Sequence, residues 1–178
     1  MYFAKKQNYS IMPHGVSNPC KYLSRSACSQ SYICMSRHSV HIAVFAIIRH
    51  GERILMLRRQ NTQHENGYLT LPAGHLEESE NMYAAVSREA HEEVGIEVES
   101  CTLVHTMHVL CPNQTADYVY LFFNIDTYEG TPKNMEPEKC SELLWAHPSE
   151  REDHVSGYIT QALLSIKEGM SGSTYIYH

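Results

Sequence analysis

The segment SREAHEEVGI carries three carboxylates, Glu89, Glu92 and Glu93, in close succession. Offsets of three and four residues set them on one face of a helix, where like charges repel by a few tenths of a kcal/mol per pair. That crowding has a chemical use. Mg²⁺ takes oxygen ligands in octahedral geometry and commonly bridges one or two carboxylates to substrate phosphates. Two such ions can neutralise a diphosphate, orient an attacking water and stabilise the oxygen that leaves. The plainer alternative is a solvated acidic face, the usual fate of a charge run.

The helix that would hold these groups is well marked. Tyr83, Val86, Ala90 and Val94, spaced by three, four and four, lie about a quarter turn from the carboxylates at roughly 100° per residue. One side can pack on a core while the acidic side faces a cleft. Asn81, or Ser79 before it, suits the N-cap, and Gly95 suits the left-handed position just past the end.

A longer pattern surrounds the cluster. From Gly74 the chain runs five residues to Glu80, seven more to Arg88, then Glu89, Ala90, one residue, Glu92, Glu93, one residue, Gly95 and Ile96. Fixed residues at this spacing would arise by chance on the order of once in 10⁸ starting points, which removes coincidence as a competitor. The segment resembles the signature of the Nudix (MutT-like) hydrolases at every fixed position. A looser likeness extends from about Val40 to Trp145, and nothing before Met35 shares it.

The resemblance implies an α/β (α+β) fold, a mixed β-sheet sandwiched between α-helices. It implies that Glu89, Glu92 and Glu93 bind Mg²⁺, or Mn²⁺ in its place, with the backbone carbonyl of Ala73 as a further ligand. Arg88 resembles the residue that pairs with Glu80 and, with Gly74, keeps the site in shape. The group that deprotonates water is a helix glutamate in some relatives and a distant loop glutamate in others. The stretch EPEKCSE offers Glu136, Glu138 and Glu142, and Glu136 is favoured. Arg58 and Arg59 can meet phosphate, since guanidinium donors match phosphate oxygens. Adjacent strand residues point to opposite faces, so one of the two faces the site, and Arg59 is preferred. His64 is a further candidate for substrate contact, and His105 and His108 are candidates to line the cleft.

Composition bounds the partners. The 178 residues, 43% of them hydrophobic, suffice for one domain with a real core. A net charge of -6 and no basic stripe disfavour a nucleic-acid partner, and the resemblance implies a small nucleotide as the expected one. No run approaches the roughly 20 apolar residues that span a bilayer, and the opening MYFAKKQNYS lacks a secretory core, so a cytoplasmic protein is expected. The six cysteines form no CxxC pair and the twelve histidines no HExxH pattern, which argues against structural or catalytic zinc. Monomer and homodimer both stay open.

In chain order, residues 1–34 read as a loosely ordered extension, with Met35 as an alternative start, residues 35–170 as the hydrolase domain, and residues 171–178 as a tail. Val40–Ile48 reads as a strand buried on both faces, turning at Gly51 into a second strand, Arg53–Leu57. A short strand YLTL and a turn at Pro72, Ala73 and Gly74 then lead to the acidic helix. Strands at Cys101–Val109, Tyr118–Ile125 and Glu142–Trp145 follow, and Val155, Tyr158, Ile159, Ala162, Leu163 and Ile166 trace a last amphipathic helix.

The expected activity is Mg²⁺-dependent hydrolysis of a nucleoside diphosphate linked to a group X. Within that class the reading leans to a nucleoside or deoxynucleoside triphosphate cut to monophosphate and pyrophosphate. ADP-ribose or a nucleotide sugar is the alternative, with Pro112 near a proline that ADP-ribose hydrolases often carry. A non-catalytic nucleotide-sensing module of the same fold is the alternative from another class, disfavoured because every glutamate of the signature is kept. The segment around Asp153 and His154 is where relatives recognise the base.

Overall fold

The computed structural model describes residues 39–112, 116–147 and 154–177. The expectations for residues 1–34, Met35 and Asp153 lie outside them. Eleven elements follow in order: β1 (Val40–Ile47), β2 (Arg49–His50), β3 (Arg53–Arg59), β4 (Leu69–Thr70), β5 (Ala73–His75), α1 (Met82–Val94), β6 (Glu97–Leu110), β7 (Asp117–Glu129), β8 (Cys140–Ala146), α2 (Gly157–Lys167) and β9 (Gly172–Ile176).

One sheet has the order β5-β1-β7-β6-β9. It is mixed: β1 runs parallel to β7 and β6 parallel to β9, while β1 with β5 and β6 with β7 are antiparallel. A second sheet is organised on β3, which pairs β2, β4 and β8 antiparallel.

β1 shows why the large sheet sits inside the fold. Its even residues Val44 and Ala46 join one core cluster with Phe123 and with Val86, Ala90 and Val94 of α1. Its odd residues Phe45 and Ile47 join the other with Phe122, Met107 and Tyr158, Ile159 and Ala162 of α2. A helix therefore covers each face, as the unbroken apolar run of β1 requires.

Several expectations need correction. The stretch expected as a tail holds a strand: β9 pairs β6 from Thr106↔Gly172 to Leu110↔Ile176. Ala73 and Gly74 do not form a turn but belong to β5, registered on Phe45 and Val44. Tyr83 is 47% exposed, and Ala85 takes the buried place on α1 beside Val86, because the stripe bends around the helix toward the sheet. His105 does not line a cleft. It is buried, with Nδ1 on the Met170 carbonyl and Nε2 on Ser173 Oγ, which ties β6 to the chain around β9. His108 is exposed beside Asp117 and also stands away from the cavities below.

Candidate functional site

α1 begins where Asn81 Oδ1 accepts the Tyr83 and Ala84 N–H groups, and ends at Gly95 with φ 68. Caps at both ends fix where the carboxylates project. Arg88 gathers them. Its Nε and Nη2 donate to the two oxygens of Glu80, each at 3.0 Å, and its Nη1 donates to Glu89 at 2.7 Å and Glu92 at 3.2 Å. Nη2 also reaches the His75 carbonyl at 3.1 Å, so one guanidinium ties α1 to β5. This fork lowers the pKa of Glu80 and raises that of Arg88. Gly74 belongs to the same geometry, for a Cβ there would run into the Glu89 carboxylate.

The three helix glutamates differ in environment. The side chain of Glu89 is 13% exposed and that of Glu92 52%. Burial pushes the Glu89 carboxyl up, against the pull of Arg88. Glu93 is half-buried. Burial pushes it up to about 8, with its hydrogen bond from the Ala73 N–H, 2.9 Å, acting the other way. Glu136, from the chain before β8, adds to the negative field at both Glu89 and Glu93.

Among the described residues no three His, Cys, Asp or Glu side chains stand already gathered around one metal position. The donor set nevertheless fits a hard divalent cation. Carboxylates whose burial disfavours their charged form need a countercharge, and all the donors are oxygens.

Two cavities meet here. One, of about 250 Å³, is lined by Glu93, Glu136, Lys139, Cys140, Leu57 and Thr62. The other, of about 190 Å³, is largely aromatic, with Phe45, Tyr118, Tyr120, Tyr158 and Tyr177 on its walls and Glu65 among them. Arg59, Thr70, Ala73, Gly74 and His75 line both. Tyr177 is pushed up to about 12, by burial first and then by Glu65, which also accepts a 2.6 Å hydrogen bond from Ser156 Oγ. The buried Thr70 hydroxyl lies near Tyr158 without closing a hydrogen bond of good geometry.

The residues singled out from sequence divide accordingly. Glu80, Arg88, Glu89 and Glu92 form one bonded cluster with His75, while Glu93, Glu136, Arg59, Ala73 and Gly74 line the acidic cavity. His64 lines the aromatic cavity and accepts the Arg59 Nε bond through its carbonyl. Arg58 lines neither: its guanidinium is held by Glu142 at 2.9 Å and by the Gly67 carbonyl. Adjacent strand positions forced that choice between the two arginines. Glu138 offers its carbonyl to Asn61. Lys139 and the tyrosine walls were missed, although Tyr118, Tyr120 and Phe122 alternate along one strand and mark an aromatic face.

The NUDIX domain family matches residues 38–159. The 8-oxo-dGTP diphosphatase of Proteus vulgaris is 34% identical over 73 residues, 41% of this chain and 65% of that protein. The NAD-capped RNA hydrolase NudC of Photobacterium profundum is 28% identical over 107 residues, 60% of this chain and 38% of that protein. The chain thus spans under two thirds of the length of either relative. In structure it is similar to the MutT NUDIX hydrolase of Burkholderia pseudomallei, with a TM-score of 0.65 at 23% identity over 73% of this chain and 98% of that one.

Proposed function

The chain belongs to the NUDIX domain family, and from that premise we propose that it is a hydrolase of diphosphate-linked nucleotides that cleaves nucleoside or deoxynucleoside triphosphates, with Mg²⁺, to a monophosphate and pyrophosphate. One observation carries the reading: an aromatic cavity opens into an acidic one across shared residues that include Arg59 and Gly74. Tyr118, Tyr120 and Tyr158 meet edge to face and offer aromatic walls that suit a nucleobase, and the acidic cavity suits phosphates once cations occupy it.

Glu89, Glu92 and Glu93, with the Ala73 carbonyl, would hold the metal. When bound it supplies positive charge to the phosphate oxygens and acidifies water. The remaining roles fall to the chain itself. Arg88 keeps Glu80, Glu89 and Glu92 in place. Arg59, at the junction of the cavities, contacts a phosphate. Glu136 accepts a proton from water as its oxygen attacks phosphorus. The new P–O bond forms as the bond to the bridging oxygen breaks, and that oxygen leaves with the departing phosphate.

The test is a hydrolysis screen with Mg²⁺, read by chromatographic separation of the nucleotide products, over nucleoside triphosphates, ADP-ribose, nucleotide sugars and dinucleotides. The highest kcat/KM is expected with a triphosphate, giving pyrophosphate. A best substrate among ADP-ribose or the nucleotide sugars replaces the triphosphate by the alternative stated from sequence.

A further inference from the structure

The chain before β8 is fastened more firmly than a surface loop needs to be. Asn134 Nδ2 donates to the Cys140 carbonyl at 2.7 Å, and Asn134 Oδ1 accepts the Glu136 N–H at 3.1 Å. The Lys139 and Cys140 N–H groups both close on the Glu136 carbonyl. From the chain after β3, the Gln60 N–H donates to the Lys139 carbonyl at 2.7 Å, Gln60 Nε2 to the Pro137 carbonyl at 2.6 Å, and Asn61 Nδ2 to the Glu138 carbonyl at 3.0 Å. Loop carbonyls are ordinarily left to water. Here they are claimed by side chains from elsewhere, and the consequence is positional. Two charged side chains of this loop, Glu136 and Lys139, line the acidic cavity.

These two are paired, Lys139 Nζ to Glu136 Oε1 at 2.7 Å, with the lysine side chain 58% exposed and the glutamate 24%. An ammonium on a flexible stem, mostly in solvent, can swing to another anion, whereas the glutamate is held deeper. Arg59 borders both cavities, so it stands beside the phosphates next to the nucleoside. Lys139 borders the acidic cavity alone, away from the aromatic walls.

We propose that Lys139 binds the terminal phosphate of the substrate, is parked on Glu136 until that phosphate arrives, and so sets a preference for triphosphates over diphosphates. The inference rests on the hydrolase reading above. When Lys139 moves to the phosphate, one anion replaces another as its partner, and Glu136 is left without its countercharge and able to take a proton from water. Lys139 is thus a binding residue that also releases Glu136.

The test uses the full chain with Mg²⁺ and reads both binding and turnover. Calorimetry compares the α,β-methylene analogues of dGTP and dGDP on the unaltered chain, Lys139→Gln and Lys139→Arg. The unaltered chain should favour the triphosphate analogue, Lys139→Gln should lower that preference about tenfold, and Lys139→Arg should retain most of it. Loss of affinity for both analogues by the same factor in Lys139→Gln would mean the lysine only props the loop, and overturns the inference. No preference in the unaltered chain, or no binding of either analogue, overturns it as well. Failure of the hydrolase reading looks different: no compound in the turnover screen is then hydrolysed, whatever residue stands at 139.

Discussion

Glu92 is held differently from its neighbours, and that makes it the residue on which the metal assignment can be tested. It is half exposed and takes one 3.2 Å bond from Arg88, whereas Glu89 is mostly covered and Glu93 is half-buried and held by the Ala73 N–H. Glu92→Gln keeps the volume and one acceptor oxygen but removes the charge. The melting temperature should stay within about 3 °C while kcat at saturating Mg²⁺ falls at least about 10²-fold. Unchanged turnover would remove Glu92 from the ligand set. Arg88 gives the opposite expectation. Removing its guanidinium strips the bidentate partner from Glu80, whose side chain is 14% exposed, and the 2.7 Å partner from Glu89. Arg88→Ala should lose about 2–3 kcal/mol in denaturant unfolding, and Arg88→Lys should recover part of it, since one ammonium cannot reproduce the fork.

Among the elements, β9 makes a specific demand. It supplies the parallel partner for β6 along the sheet edge, and the chain around it carries Tyr175, Tyr177 and the Ser173 hydroxyl that meets His105. Deleting residues 172–178 should lower the melting temperature by more than about 5 °C and raise KM, because Tyr177 is also a wall of the aromatic cavity. A deletion that melts unchanged would show that β9 adds nothing to the fold. Sequence did not reveal how this strand pairs. Thr174, Tyr175 and Ile176 are strand formers, but the run is short, has no fully buried position, and its partner lies over sixty residues earlier, so its pairing has no local signal. α1 was legible for the opposite reason: cap residues, an apolar stripe and the glutamate spacing all lie within one short segment. β1 was legible because burial on both faces leaves an unbroken apolar run. The acidic cavity falls between these cases. Glu89, Glu92 and Glu93 announce themselves by spacing, but Lys139 reaches the site only because Gln60 and Asn61, 77 residues earlier than their partners, fasten the loop that carries it. Long-range bonds of this kind have no signature in a single sequence.

At the scale of the whole molecule, the question is what balances an acidic cleft in a chain whose net charge is already -6. Glu93 answers it in measurable form. Its ordinary value is 4.5, and burial, with lesser contributions from Glu89 and Glu136, raises it to about 8 in the folded chain. Between those values the folded protein holds a proton that the unfolded chain has released, so stability falls as pH rises through the window and levels off above it. Glu89 is shifted in the same direction. Glu80 has the opposite sign, because Arg88 depresses it, and its contribution is lost only in more acidic solution. In chelator, the melting temperature of the unaltered chain relative to Glu93→Gln should therefore decline from about pH 5 to about pH 8. On the proposed metal assignment Mg²⁺ would give these carboxylates their countercharge and bind the folded state, so adding it should raise the melting temperature most at pH 8 and flatten the decline. Glu93→Gln, which has no charge to bury there, should gain less from Mg²⁺ at that pH. Equal gains in the two proteins across the whole range would mean that the cation binds away from Glu93, and the metal would have to be reassigned to other oxygens.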